Sequence, residues 1–216
     1  LYTPLVKAYI SDQAWRVCEL AIQVHGGIGY IRDLPIEQYA RDVKILSIWE
    51  GTNYIQAQDL VREKLAFGRD PVVMDQLGED LRAFLAGVPA GLRAEAEAVD
   101  AAFAAVKWTL GAIGDWVRDR ELQRVAQHAT RFLEMLAQVV VAWSLLEGAA
   151  VASQALQAPA LADDEREFYT GKLATARYFI HNCLPGVHTD ALVMRNAASF
   201  VPVASASFGQ SASASA

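Results

Sequence analysis

Apolar residues recur at spacings of three and four through most of the chain, and no segment shows the two-residue alternation of a half-buried strand. The pattern predicts an all-α helical bundle. Proline, glycine and capping residues divide it into elements. Thr3 ahead of Pro4 reads as an N-cap for a helix that runs to the Gly26-Gly27 pair. Pro35 opens a shorter helix to about Ile45, residues 48–51 form a loop, and Thr52 caps a helix ending near Gly68. Asp70-Pro71 starts another that closes near Gly87. Two long Ala-rich helices are expected over 92–118 and 120–157, then one over 163–182 and a short one within 189–199. In the second long helix Leu122, Val125, Ala129, Phe132, Leu136, Val139, Trp143, Leu146 and Ala150 form a narrow apolar seam. Such a seam suits left-handed packing inside a bundle, or pairing with a second chain.

Composition narrows the field of functions. Of 216 residues, 53% are hydrophobic and 20% charged, which supports a large core and excludes general disorder. Lys and Arg number 19 against 25 Asp and Glu, a net charge of −6. That sign disfavours binding driven by nucleic-acid phosphates. Cys18 and Cys183 show no C-x-x-C spacing and no disulfide framework, which points to a reducing compartment. The most apolar stretch, 135–152, includes Gln138, Ser144 and Glu147, and reads as a buried bundle helix, not a membrane span. The chain opens at Leu1 inside a helix start, as a portion of a longer protein would. Its end, 204–216, is a Ser/Ala tract expected to be disordered.

Candidate chemistry crowds into residues 23–52. The run Gln23-Val24-His25-Gly26-Gly27-Ile28-Gly29-Tyr30 lets backbone approach a ligand closely. It follows a helix, so it is no Rossmann fingerprint, and it lacks the Gly-Lys-Ser/Thr end of a P-loop. A helix C-cap and tight turn is the plain alternative. Residues 35–45 place Glu37 and Arg41 four apart beside an apolar stripe, a structural pattern. In Ile48-Trp49-Glu50-Gly51-Thr52-Asn53-Tyr54 a carboxylate stands beside a large aromatic, just before a capped helix start. A helix start favours anions, so Glu50 reads either as a dipole-complementing residue or as part of a site. Elsewhere, His181, Cys183 and His188 match no zinc spacing, and no metal is expected. Asp163-Asp164-Glu165 reads as an acidic helix start. Trp108, Trp116 and Trp143 read as core or seam residues.

Taken in order, these segments resemble the carboxyl-terminal domain of acyl-CoA dehydrogenases. The family's Q-x-x-G-G-x-G-[FY] run corresponds to Gln23, Gly26, Gly27, Gly29 and Tyr30. Its P-[VI]-E-x-x-x-R-D-x-[KR]-I helix corresponds to Pro35, Ile36, Glu37, Arg41, Asp42, Lys44 and Ile45. Its [YW]-E-G-T-x-x-I-Q segment corresponds to Trp49, Glu50, Gly51, Thr52, Ile55 and Gln56. The resemblance implies that residues 1–68 are the later part of a catalytic helical domain. Residues 69–203 then look like the extra helical domain of longer bacterial members. It further implies that Glu50 removes the α-proton of an acyl-CoA thioester while the β-hydrogen leaves as hydride to FAD. By the same resemblance Gln23, Gly26, Gly27, Thr52 and Tyr54 contact the flavin, although position 54 is usually polar in the better-known branches and is Tyr54 here. Trp49 and Gly51 lie against the substrate. An electron-transfer flavoprotein takes the electrons, and the enzyme is a cytoplasmic dimer or dimer of dimers. The family's amino-terminal helical and central β domains have no counterpart here, so the 216-residue chain is expected to be inactive alone.

A rival reading is a catalytically silent assembly module whose seam at 122–150 joins subunits. It requires neither Glu50 nor flavin, and polar changes at Leu136 or Val139 would damage it.

Overall fold

Helix α1 (Tyr2–His25) has two apolar faces, and only one is covered. The structure is a computed structural model that describes residues 1–202, so the Ser/Ala tract at 204–216 lies outside the described residues. Pro4, Leu5, Ala8 and Ser11 of α1 are buried against the rest of the chain. On its other side Val6, Ile10, Val17, Leu20 and Val24 stand exposed at spacings of three, four and seven. The expected cap at Thr3 is corrected. The helix already includes Tyr2 and has no side-chain cap, and Pro4 sits in the first turn, where its missing N–H has no intrahelical partner to lose.

A one-turn helix α2 (Gly27–Tyr30) follows, and α3 (Ile36–Lys44) starts after Pro35 and tightens into a 3-10 turn, Ile45–Ser47. Thr52 caps α4 (Asn53–Asp59), which widens into a π turn, Leu60–Lys64, closed by Leu65 N–H donating to the Leu60 carbonyl at 3.0 Å. The helix therefore stops short of Gly68. Ala66 and Phe67 adopt left-handed φ of 45° and 57°, which no helix continues through.

The later helices are α5 (Val72–Ala86), α6 (Arg93–Arg118), α7 (Leu122–Ala155), α8 (Asp163–Tyr178) and α9 (Gly186–Arg195). Asp70 accepts from Val72 N–H at 3.0 Å and starts α5, as expected. Gly78 of α5 lets α6 approach, since a Cβ there would lie 2.8 Å from Phe103 Cε1. The acidic triplet occupies the first turn of α8, where Glu165 accepts from Ala162 N–H at 3.3 Å. α8 ends in a second π turn, Phe179–Cys183, and α9 begins at Gly186, ahead of the expected Thr189.

Among the described residues there is no strand, and the all-α expectation holds. α7 is the central element, packed against α6, α8, α9, α4 and α1. Val125, Ala129, Phe132, Leu136, Val139 and Leu146 of the expected seam are buried, but so are Leu133, Met135, Ala137, Ala142 and Ala149. The narrow seam is thus corrected to a helix covered on several sides, with Leu122 exposed at its start. By length and composition α7 could cross a membrane, but 44% of its most apolar window is covered by this chain's other helices.

One continuous core runs from Leu5 and Ala8 through Ala57, Leu60 and Val61 into α5–α9. Polar ties brace it from outside. Arg131 of α7 pairs with Asp190 of α9, and buried Glu95 of α6 accepts from Arg177 at 3.1 Å and lies 3.3 Å from His181 Nε2. Trp116 is buried as expected, whereas Trp108 is corrected to a surface residue. Its ring faces the Arg195 guanidinium at 3.9 Å, and its carbonyl accepts from the same side chain at 2.8 Å.

Candidate active site

The glycine run ends α1. Gly26 N–H donates to the Gln23 carbonyl at 3.2 Å, and Gly26 adopts φ 63°, which favours glycine. His25 Nδ1 lies 2.9 Å from the Ala21 carbonyl, so this histidine finishes the helix. The three glycines differ in what they need. A Cβ on Gly29 would lie 2.8 Å from the Ile22 carbonyl oxygen and 2.9 Å from His25 Cβ, so packing demands glycine there. A Cβ on Gly27 would meet nothing within 4 Å, and Gly27 is exposed. Nothing in this chain's own packing accounts for glycine at 27. A cofactor laid against exposed backbone at 26–27 fits that arrangement, and Gln23 is exposed beside it.

A groove of about 670 Å³ lies between α1 and α3. It sets Trp15, Ile22 and Tyr30 against Lys44, Ile45 and Ile48, with the Lys44 ammonium 5.4 Å from the Trp15 ring centre. The lining stops two residues before Glu50 and includes neither Glu50, Thr52 nor Gln23. The groove thus joins the flanks of the glycine run and of the Glu50 loop without containing their candidate residues.

Glu50 lies on the loop between that groove and α4. Its φ is 52°, a left-handed conformation that costs a non-glycine residue roughly 1–2 kcal/mol. Gly51 follows at φ 87°. Trp49 and Tyr54, one before Glu50 in the chain and one after it, are each 51% exposed. Thr52 Oγ1 accepts from Ile55 N–H at 3.3 Å, the N-cap expected from the sequence. Gln56 Nε2 donates to the Glu50 carbonyl at 3.3 Å and holds the turn from the helix side.

One cluster escaped the sequence reading. Asn53, the first residue of α4, is bonded to Lys7, Ala8 and Ser11 of α1. Lys7 and Ser11 share one face of α1 at a four-residue spacing, the one signal that could have pointed there. Their partner, 42 residues or more away, is not legible from spacing.

The all-α fold thus carries a glutamate in left-handed conformation on an exposed loop before a capped helix, and a glycine turn in which Gly27 is not required by this chain's own packing. Comparison with known proteins makes the class specific. Residues 2–65 match the family described as acyl-CoA dehydrogenase, C-terminal domain, and residues 77–201 match acetyl-CoA dehydrogenase C-terminal like. A butyryl-CoA dehydrogenase of Syntrophomonas wolfei is 34% identical over 200 residues, covering 89% of this chain and 31% of that protein. A broad-specificity linear acyl-CoA dehydrogenase of Mycobacterium tuberculosis is 35% identical over 191 residues, covering 86% of this chain and 31% of that protein. A 3-methylmercaptopropionyl-CoA dehydrogenase of Ruegeria pomeroyi is 45% identical over 62 residues, 29% of this chain and 10% of that protein. The chain belongs to the acyl-CoA dehydrogenase family. It spans about a third of the length of the first two relatives.

Proposed function

We propose that this chain is the carboxyl-terminal portion of an FAD-dependent acyl-CoA dehydrogenase, with Glu50 as its base. Residues 1–68 then complete the catalytic helical domain and 69–203 are an added helical domain. The observation that carries the reading is Glu50 itself. A glutamate is kept at φ 52°, between an exposed tryptophan and a glycine, where a glycine would sit without strain. Ala66, Phe67 and Arg120 share this conformation, and what sets Glu50 apart is its place between exposed Trp49 and Gly51, directly before the Thr52 cap.

In this reading the Glu50 carboxylate takes the α-proton of a bound acyl-CoA thioester, and the C–H pair left behind becomes the new α,β double bond. Bound FAD supplies the acceptor for the β-hydrogen and its electron pair. The Glu50 backbone N–H polarises the thioester carbonyl as negative charge develops on its oxygen. Trp49 and Gly51 flank the thioester and help exclude water. Gln23, Gly26 and Gly27 hold the cofactor of a neighbouring subunit, and Thr52 and Tyr54 that of their own. The parent is therefore a homo-oligomer, with an electron-transfer flavoprotein as electron acceptor and the cytoplasm as its place.

The uncovered face supports a missing remainder. Of the 25 exposed large apolar side chains among the described residues, 17 fall within residues 1–55, the segment that carries the candidate site. Leu136 and Val139, on which the rival module rests, are buried in this chain's own core, which favours the dehydrogenase reading. The test is turnover of butyryl-CoA and longer acyl-CoAs by the full-length protein. Glu50→Gln is expected to lower kcat by roughly 10²–10⁴-fold, the usual contribution of a general base, with flavin retained. Unchanged turnover in that variant overturns the assignment.

A further inference from the structure

Asn53 makes hydrogen bonds that fix both ends of its amide. Lys7 Nζ, which can only donate, lies 2.9 Å from Asn53 Oδ1. Oδ1 must therefore face Lys7, which turns Nδ2 toward Ala8 and Ser11, further along α1. Nδ2 donates to Ser11 Oγ at 2.9 Å and to the Ala8 carbonyl at 3.2 Å, while Ser11 Oγ donates to the same carbonyl at 2.9 Å. Ser11 is buried, and Asn53 and Lys7 are half-buried. Ser11 Oγ also lies 3.2 Å from Asn53 Oδ1, so both ends of the Asn53 amide are partnered on α1. An aspartate could receive Lys7 but would turn its second oxygen toward the Ala8 carbonyl, so charge alone does not replace the amide.

What the amide holds matters for the loop before it. Glu50, Gly51 and Thr52 are secured from α4, by Gln56 on the Glu50 carbonyl and by the Thr52 cap on Ile55. Asn53 is the side chain that pins the first turn of α4 to α1, the helix that ends in the glycine run. We propose that Asn53 is a positioning residue for Glu50, setting where the loop presents its carboxylate relative to α1. The inference rests on the assignment of Glu50 as base. Misplacing a catalytic group by about 1 Å can cost on the order of 10²-fold in rate, so a small slip of the first turn of α4 is enough.

The test uses the full-length flavoprotein for kinetics and this chain for hydrogen exchange. Asn53→Ala is expected to lower kcat per bound flavin by roughly 10–100-fold, with KM and flavin content held within about twofold. In the chain, amide exchange over 49–53 should quicken by about tenfold or more, beyond any change in α7, as a local opening does. Lys7→Met removes the Lys7 bond alone and should give a smaller shift of the same kind. Combined with Asn53→Ala it should add nothing. If Asn53→Ala melts earlier but keeps wild-type kcat per flavin, or leaves exchange at 49–53 unchanged, the positioning role is overturned even where Glu50→Gln is inactive. If Asn53→Ala does not fold, Lys7→Met with wild-type kcat and exchange overturns it equally. Full turnover in Glu50→Gln instead overturns the base assignment, and the positioning role with it.

Discussion

Glu50 shows how one residue can be placed against its own conformational preference. At φ 52° a glycine would relax, so Glu50→Gly should leave the thermal midpoint of the chain unchanged or raise stability by about 1 kcal/mol. A clear loss of stability would mean that the carboxylate serves the fold. The identity of this residue was legible in the sequence, because the Trp49-Glu50-Gly51-Thr52 run carries the family resemblance. Its strain was not legible, since φ is decided by the closing of the turn between α3 and α4. Asn53 was missed for a related reason. A hydrogen bond across more than 40 residues depends on which helix faces pack, and periodicity within one helix does not report that.

At the scale of elements, the glycine run holds one glycine that packing demands and one that it does not. Gly29→Ala forces a Cβ against the Ile22 carbonyl and should cost about 1–3 kcal/mol, measured by denaturant unfolding. Gly27→Ala has open space and should leave the chain's stability within about 0.5 kcal/mol of wild type. In the full-length protein the same Gly27→Ala should weaken flavin retention, and retention equal to wild type would remove Gly27 from the cofactor contacts. Sequence spacing found the helices well but misjudged how α7 is covered. A heptad count reads one stripe, whereas α7 is wrapped by α6, α8, α9, α4 and α1, and small residues such as Ala137, Ala142 and Ala149 let those neighbours close in. Phe132→Ala, at the fully buried middle of this helix, should therefore cost about 3–5 kcal/mol. The early end of α4 was not legible either, because it follows from a π turn and two left-handed residues, Ala66 and Phe67, neither of them glycine.

For the whole molecule, the tie between α6 and the end of α8 sets a pH dependence. Burial pushes the Glu95 carboxyl up, but its backbone N–H and the bonds from His181 and Arg177 outweigh burial and hold it below the ordinary glutamate value of 4.5. A carboxylate depressed in the folded state adds stability above its unfolded pKa and loses it as pH falls through the folded one. The chain should thus lose stability as pH drops below about 4.5, and Glu95→Gln should flatten that slope while costing about 1–3 kcal/mol at pH 7. Thermal melts at several pH values check both statements, and an equally steep slope in the variant would contradict them.

The uncovered apolar face of residues 1–55 is the other property of the whole. It lies on the part of the chain that bears Glu50, and the relatives are about three times as long as this chain. The central claim, that Glu50 is the base of an acyl-CoA dehydrogenase, is therefore tested most directly in the full-length protein, by anaerobic mixing with an acyl-CoA while the flavin absorbance is followed. The wild type should bleach within a single turnover. Glu50→Gln should bind flavin at the same stoichiometry and stay oxidised. Bleaching of that variant at the wild-type rate would contradict the account.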